Sequence, residues 1–262
     1  MTGPLHDEML LARQQRRPHY LITLAATCGS VPRQAGSKML IYPDGTTSGT
    51  IGGGKFESLV LAEALALPLH SLPVLKTYPL HEASPDSFGA ICGGEVTVLI
   101  EPQMPSPALI LIGAGHCSRA LATLARTCHW HITVLDDRPE ELLTFPADER
   151  LTTPATEYLA TKTWQPREAL VLLSRKYQLD RSALATALRH PGMAYLGMIG
   201  SQKKVRQVLA ELRTTGLTDF TPLRAPLGLD LGADHPNEIA ISIFAEILAV
   251  LNQTSATPLS IT

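Results

Sequence analysis

The sequence predicts an α/β protein in which a small N-terminal α+β domain is followed by a parallel-sheet C-terminal domain. Three observations carry this. The 262 residues are about 1.7 times the ~150-residue length that serves as a soft domain prior. Between Pro102 and Pro107 three prolines fall within six residues, which stiffens the backbone, withholds N–H groups and interrupts helix and sheet. Across that segment the hydrophobic pattern changes from hairpin-like to apolar strands alternating with helices, as a parallel sheet covered on both faces requires. The expected boundaries are residues 1–102 for the N-terminal domain, 103–107 for a proline-rich linker and 108–262 for the C-terminal domain.

In the first part the pattern gives a short helix from Leu5 to Arg16 and a strand from Tyr20 to Thr27. A hairpin follows, its strands Lys38 to Tyr42 and Thr47 to Ile51 flanking the turn Pro43-Asp44-Gly45. A helix from Lys55 to Leu67 and two strands, Val74 to Tyr78 and Glu95 to Ile100, complete this part. After the prolines, strands are expected at 108–114, 131–136, 169–174 and 194–200. Helices are expected from His116 to about Cys128, from Asp180 to Arg189, from Ser201 to Leu212 and onward from Pro236, whose missing N–H suits a first helical position.

Hydrophobic residues make up 45% and charged residues 18% of the chain, which excludes a disordered, collagen-like or disulfide-scaffold protein. With 22 basic and 24 acidic residues the net charge is -2, so no global field draws nucleic acid or an anionic membrane. Neither is expected as a partner. The four cysteines, 28, 92, 117 and 128, form no CxxC and read as reduced cytosolic thiols. Ile239 to Leu251 is nearly apolar but is interrupted by Ser242 and Glu246, far short of the roughly 20 residues of a membrane span. Arg16 and Arg17 before an apolar stretch have the look of a secretion signal, but Asp7 and Glu8 lie upstream and Thr23 interrupts the run. A buried strand and a cytoplasmic location are expected instead.

Gly113-x-Gly115-x-x-Ser118 joins a strand to a helix, and Asp136 closes the next strand 23 residues after Gly113. This is close to the dinucleotide fingerprint, with glycines opening the backbone to a pyrophosphate and an acid taking a ribose, and it makes the C-terminal domain Rossmann-like. Serine at the third position either pushes the helix from the strand or narrows the phosphate approach. A second loop, Gly49 to Lys55, scans as GxxxxGK, but Phe56 stands where a magnesium-binding hydroxyl belongs. Consecutive Gly52, Gly53 and Gly54 at a helix start either offer N–H groups to an anion or simply make a tight turn. Cys92 beside Gly93 and Gly94 is either an accessible thiol for soft-metal or sulfur chemistry or a small buried residue. Ser201, followed by Lys203, Lys204 and Arg206, caps a helix that suits phosphate or merely shows a solvated basic face. Asp230 sits in Pro226 to Gly232 as a ligand or a turn carboxylate, and Glu238 is placed to reach back to the His235 backbone.

Four segments together resemble one family: TCGSVPRQAGSKMLI with GTIGGGKFES, CGGEVTVLIEP, LIGAGHCSRALATLA with TVLDDRPE, and YLGMIGSQKKVRQVL with RAPLGLDLGADHPNEIAISIFAEILA. They resemble the XdhC/CoxI family, accessory proteins of xanthine dehydrogenase and related molybdenum hydroxylases. The resemblance implies a protein, without turnover of its own, that binds the molybdenum cofactor (molybdopterin) and protects it. It further implies support of cofactor sulfuration with a cysteine desulfurase and insertion into the apo molybdenum hydroxylase. By motif position, the implied cofactor contacts are Gly52, Gly53, Gly54, Glu57, Cys92, Gly93, Gly94, Gly113, Gly115 and His116, with Cys92 at the metal. Asp136, Ser201 and Asp230 join them from the reading of the loops. Departures from the family pattern stand at Cys28 (usually Arg), Ser118 (usually small), Ser174-Arg175 (usually Thr-His) and Asp234-His235 (usually Arg-Thr). The last of these reads as the loss of a cation and of a good helix cap. An NAD(P)-dependent oxidoreductase using Gly113, Gly115 and Asp136 is the alternative, a scaffold with vestigial sites a third. A homodimer is expected only because two-fold oligomers are common.

Overall fold

The computed structural model describes residues 4–80 and 94–260, in two compact units, Met1–Pro105 and Ser106–Thr262. The first contains α1 (Pro4–Gln14), β1 (His19–Cys28), β2 (Lys38–Ile41), β3 (Thr47–Gly49), α2 (Gly54–Ala66), β4 (Val74–Leu80) and β5 (Gly94–Gln103). The sheet runs β3-β2-β1-β5-β4, every pair antiparallel. Alternate residues Tyr20, Ile22 and Leu24 of β1 and Val96, Val98 and Ile100 of β5 face one core, the two-residue period of a half-buried strand. Phe56, Val60 and Ala64, four apart on α2, close it.

Two expectations need correction here. The second hairpin strand stops at Gly49 instead of Ile51, because Gly49 turns to φ +81 and a Cβ there would come 2.7 Å from the Lys38 carbonyl. The proline-rich segment does not end the sheet at its start, since β5 continues through Pro102 to Gln103, paired with β1. Its other neighbour, β4, begins only opposite Ile100. Pro102 therefore has a strand on one side only, the position at which a missing N–H is tolerated.

The second unit contains β6 (Ala108–Ile112), α3 (His116–Thr127), β7 (His131–Leu135), α4 (Pro139–Leu142), β8 (Glu149–Leu151), α5 (Ala155–Thr161) and β9 (Glu168–Leu172). It continues with α6 (Tyr177–Arg189), β10 (Tyr195–Met198), α7 (Gln202–Thr214), β11 (Leu223–Arg224) and α8 (Pro236–Leu251). All strand pairs are parallel, in the order β11-β10-β9-β6-β7-β8, the doubly wound Rossmann arrangement. Buried side chains fill both faces, Leu109 and Leu111 with α3 and α8 on one, Ile110 and Ile112 with α6 and α7 on the other. Helices on both faces explain why β6 is apolar at every position.

Four elements have no counterpart in the expected pattern: α4, β8, α5 and β11. They span four, three, seven and two residues, too few to show a period. The other differences lie at ends. α6 starts at Tyr177, three residues before the expected Asp180, which instead turns a fully buried carboxylate back to accept the Ser174 N–H at 3.0 Å.

A candidate ligand cleft at the carboxyl edge of the parallel sheet

From β6 the chain goes to β7 on one side, and from β9 to β10 on the other, while β6 and β9 themselves are neighbours. The carboxyl ends of these two strands form the crevice in which open α/β sheets bind ligands. Gly113 lies there at φ +110, and a Cβ on it would press to 2.6 Å from the Leu173 carbonyl and 2.8 Å from Ser174 Cα. Its glycine character thus follows from the close approach of the two loops. Gly115 caps α3, and a Cβ there would meet no atom within 4 Å. The first turn of α3 begins two residues after Ala114 with the exposed His116 and carries the unsatisfied N–H groups of any helix start. Ser118 lies on the buried side of the helix with Leu121, Ala122 and Ala125, its hydroxyl without a hydrogen-bond partner.

Asp136 is spent within the chain. One carboxylate oxygen accepts from the Ala114 N–H at 2.7 Å and Arg138 Nη2 at 2.9 Å. The other accepts from the Arg138 N–H at 3.0 Å and Nε at 2.8 Å. Each oxygen thus has both lone-pair directions filled. Burial pushes this carboxyl up, but the Arg138 side chain and the Ala114 and Arg138 N–H groups outweigh it, and the group sits below the usual carboxylate range. The lone pairs that the fingerprint would offer to ribose hydroxyls are therefore occupied by donors of Arg138 and the glycine loop.

The second glycine loop is occupied in the same way. Gly52, Gly53 and Gly54 all have positive φ, and donors of this loop converge on a carboxylate of the chain itself: Glu57 accepts from the Thr50 hydroxyl at 2.7 Å, the Ile51 N–H at 3.1 Å and the Gly53 N–H at 3.0 Å. Burial raises the Glu57 pKa, yet Thr50 and the loop N–H groups more than compensate and lower it. Gly94 is explained by packing, since a Cβ there would fall 2.6 Å from the Cys28 carbonyl and 2.8 Å from Val31 Cγ1. Cys92 and Gly93 lie outside the described residues.

Ser201 is the N-cap of α7, accepting the Lys204 N–H at 3.2 Å. The basic residues after it do not form one solvated face, because Lys204 turns inward to Asp180 at 2.7 Å. Asp230 is exposed, on a loop held to α8 by Gly228 N–H to Glu246 at 2.8 Å and Leu229 N–H to the Ser242 carbonyl at 3.2 Å.

Of the expected residues, Gly113 and Asp136 line one cavity of about 210 Å³ at the crevice. Residues not singled out as ligands complete it: Asp137 after β7, Thr152 and Thr153 after β8, Arg175 after β9. Thr152 and Thr153 follow a strand too short to predict, whereas Arg175 was visible as a departure from a motif. His116 lines a separate, open groove between α3 and α8, shared with His235 and Ile241. Among the described residues no group of three or more His, Cys, Asp or Glu could hold a metal ion. No helix among them is long and apolar enough to cross a membrane.

Residues 109–247 match the XdhC Rossmann domain and residues 12–78 the XdhC and CoxI family. The chain belongs to the XdhC/CoxI family. It is similar to the Escherichia coli (strain K12) protein YqeB, 36% identical over 258 residues, 95% of this chain and 46% of that protein. It is also similar to a probable xanthine dehydrogenase subunit of Bacillus subtilis (strain 168), 33% identical over 154 residues, 58% of this chain and 45% of that one. The chain thus spans about half the length of the curated relatives it matches. A crystal structure described as a xanthine dehydrogenase from Bacillus halodurans superposes with a TM-score of 0.52 at 22% identity, covering 96% of this chain and 97% of that one. It shares the fold.

One consequence read from the Asp234-His235 departure, the loss of the helix cap, does not hold. His235 does cap its helix: Nδ1 accepts the Asn237 N–H and Glu238 accepts the His235 N–H, each at 3.3 Å. The expected loss of a cap is corrected, because an imidazole nitrogen replaces the hydroxyl oxygen as acceptor.

Proposed function

We propose that the chain is a molybdenum-cofactor-binding maturation factor for a xanthine dehydrogenase-type molybdenum hydroxylase. It protects the cofactor, supports its sulfuration by a cysteine desulfurase and inserts it into the apo-hydroxylase. The observation that carries this reading is the presence of both XdhC regions in one chain, in order.

The crevice fits the group chemically. A pterin cofactor is anionic at its phosphate, and the Gly113 to His116 turn brings a 12-residue helix start to an opening with no Cβ at Gly115, which suits a phosphate. When bound, the cofactor supplies a molybdenum held by its own dithiolene sulfurs, so a protein-built metal cluster is not required. In this reading Gly115 and His116 take the phosphate, and Cys92 is carried as a molybdenum contact by its sequence motif alone. The nicotinamide alternative has no comparable support, because Asp136 presents no open lone pair to a ribose.

The test is transfer. The loaded protein, mixed with apo-hydroxylase from a cofactor-deficient host, is expected to restore activity beyond an equal amount of free cofactor; no gain over free cofactor would count against the reading. Cys92→Ser should leave the thermal melt unchanged and lower the retained molybdenum, and equal retention would remove Cys92 from the site.

A further inference from the structure

The open groove between α3 and α8, about 770 Å³ in volume, has two unlike ends. At one end it is lined by His116, the first residue of α3, by His235, the cap of α8, and by Arg119. Among the described residues lining the groove there is no Asp or Glu. Arg119 gives Nη1 to the Thr144 carbonyl at 2.7 Å and Nη2 to the Glu141 carbonyl at 3.3 Å, acceptors without net charge, so these bonds leave its positive charge in place. Glu238, in the first turn of α8, turns back to the Asp234 and His235 N–H groups. With Nδ1 accepting the Asn237 N–H, the His235 ring keeps Nε2 as a donor. The two helix starts add partial positive charge at the same end. Beyond it the walls are apolar or hydroxylic: Ala120 and Leu124 of α3, Ala240 and Ile241 of α8, edged by Thr123 and Thr127. Ile241 is 52% exposed, a large apolar side chain left to solvent.

We propose that this groove docks an acidic, apolar-faced helix of the enzyme that receives the cofactor. The inference deepens the carrier reading, and rests on it for the identity of that enzyme as a molybdenum hydroxylase. Two helices packed side by side leave a furrow that a third can fill, ridges into grooves. The small Ala120 and Ala240 on its walls let a bulky anchor of the incoming helix come close. From His116 to Thr127 the furrow runs about 16 Å, room for about three turns whose apolar anchors recur at i, i+3, i+4 and i+7. The single sign of charge selects the partner: carboxylates on the incoming helix meet donors at the basic end, whereas Lys or Arg there meets like charge. A second copy of this chain offers no carboxylate from the same face, as a two-fold contact through the groove requires. The basic end is also the His116 end, so a helix seated in the groove lies beside the turn to which the carrier reading gives the cofactor phosphate.

The experiment measures association of the full chain with each apo molybdenum hydroxylase of its own cell, by biolayer interferometry, for the parent, Ile241→Asp and Thr123→Glu. Both positions are exposed, and both variants place a carboxylate where an acidic helix is to lie. The parent is expected to bind one apo-hydroxylase, more weakly as salt rises, and each variant to bind it at least about tenfold more weakly. Thermal melting and retained molybdenum are expected to stay at the parent's values in both, which separates a lost docking surface from a lost fold or a lost cofactor. A photo-crosslinking residue at position 241 is expected to capture a helical hydroxylase segment with more Asp and Glu than Lys and Arg. No association with any apo-hydroxylase, affinity unmoved in both variants, or capture of a neutral or basic segment would overturn the proposal. So would a chain that is dimeric as the parent and monomeric as Ile241→Asp, which makes the groove an interface between copies. Molybdenum retained and transferred equally by parent and variants would leave the carrier reading standing and defeat this one; association through the groove by a chain that holds no molybdenum would do the reverse.

Discussion

Glu57 acts as an internal anion, filling the glycine loop that would otherwise need one. Removing it leaves the Ile51 and Gly53 N–H groups and the Thr50 hydroxyl without their acceptor. Glu57→Ala is expected to destabilise the N-terminal unit by roughly 1–3 kcal/mol, read by chemical denaturation, while Glu57→Gln, which keeps an acceptor oxygen, should lose less. Equal stability of Glu57→Ala and the parent would contradict this role. The native Glu57 pKa is depressed. Its contribution is therefore complete above the unfolded value of about 4.3 and fades as pH falls through the lower native value. The pH dependence of stability should be flatter in Glu57→Ala below about pH 4.3. Sequence showed that Gly52 to Gly54 open a helix, and that consecutive glycines favour an anion. It did not show that the anion is the residue three positions on, because the side-chain reach depends on the positive φ angles of the loop. Asp136 repeats the lesson: its place after β7 was legible, but its four donors were not.

At the scale of elements, the loops around the crevice depend on buried supports. Asp180 on α6 is fully buried, accepts the Ser174 N–H and pairs with Lys204 of α7 at 2.7 Å. This one carboxylate joins the end of β9 to two helices. Lys204→Ala leaves it buried without its cation and is expected to cost roughly 3–5 kcal/mol. Adding Asp180→Asn, which retains an acceptor for Ser174, should restore part of that loss; a denaturation curve unchanged by Lys204→Ala would refute the coupling. On α8, Glu246 accepts both the Tyr195 hydroxyl and the Gly228 N–H. Burial first, and then this bond, push the Tyr195 pKa well above its ordinary value. The long strands and helices were readable from period and from capping residues such as Ser201 and Pro236. The short α4, β8, α5 and β11 were not, because pairing with longer neighbours defines them more than any pattern of their own.

For the whole molecule, the change of pattern at the prolines and the antiparallel-then-parallel architecture were readable in the sequence, as was membership of the XdhC/CoxI family. The pattern change falls close to the division between the two compact units, each of which carries its own core. Less of the site was legible. Gly113 and Asp136 reach the same cavity, Ser201 is a helix cap, and Asp137, Thr152 and Thr153 became visible only when the sheet order brought three loops together. The central claim is that this chain carries the molybdenum cofactor. The measurement that tests it most directly is molybdenum by mass spectrometry and pterin by fluorescence after oxidation, on protein purified from a host rich in the cofactor. Both near stoichiometry with the chain are predicted, and neither ligand on a folded sample also given isolated cofactor would contradict the account.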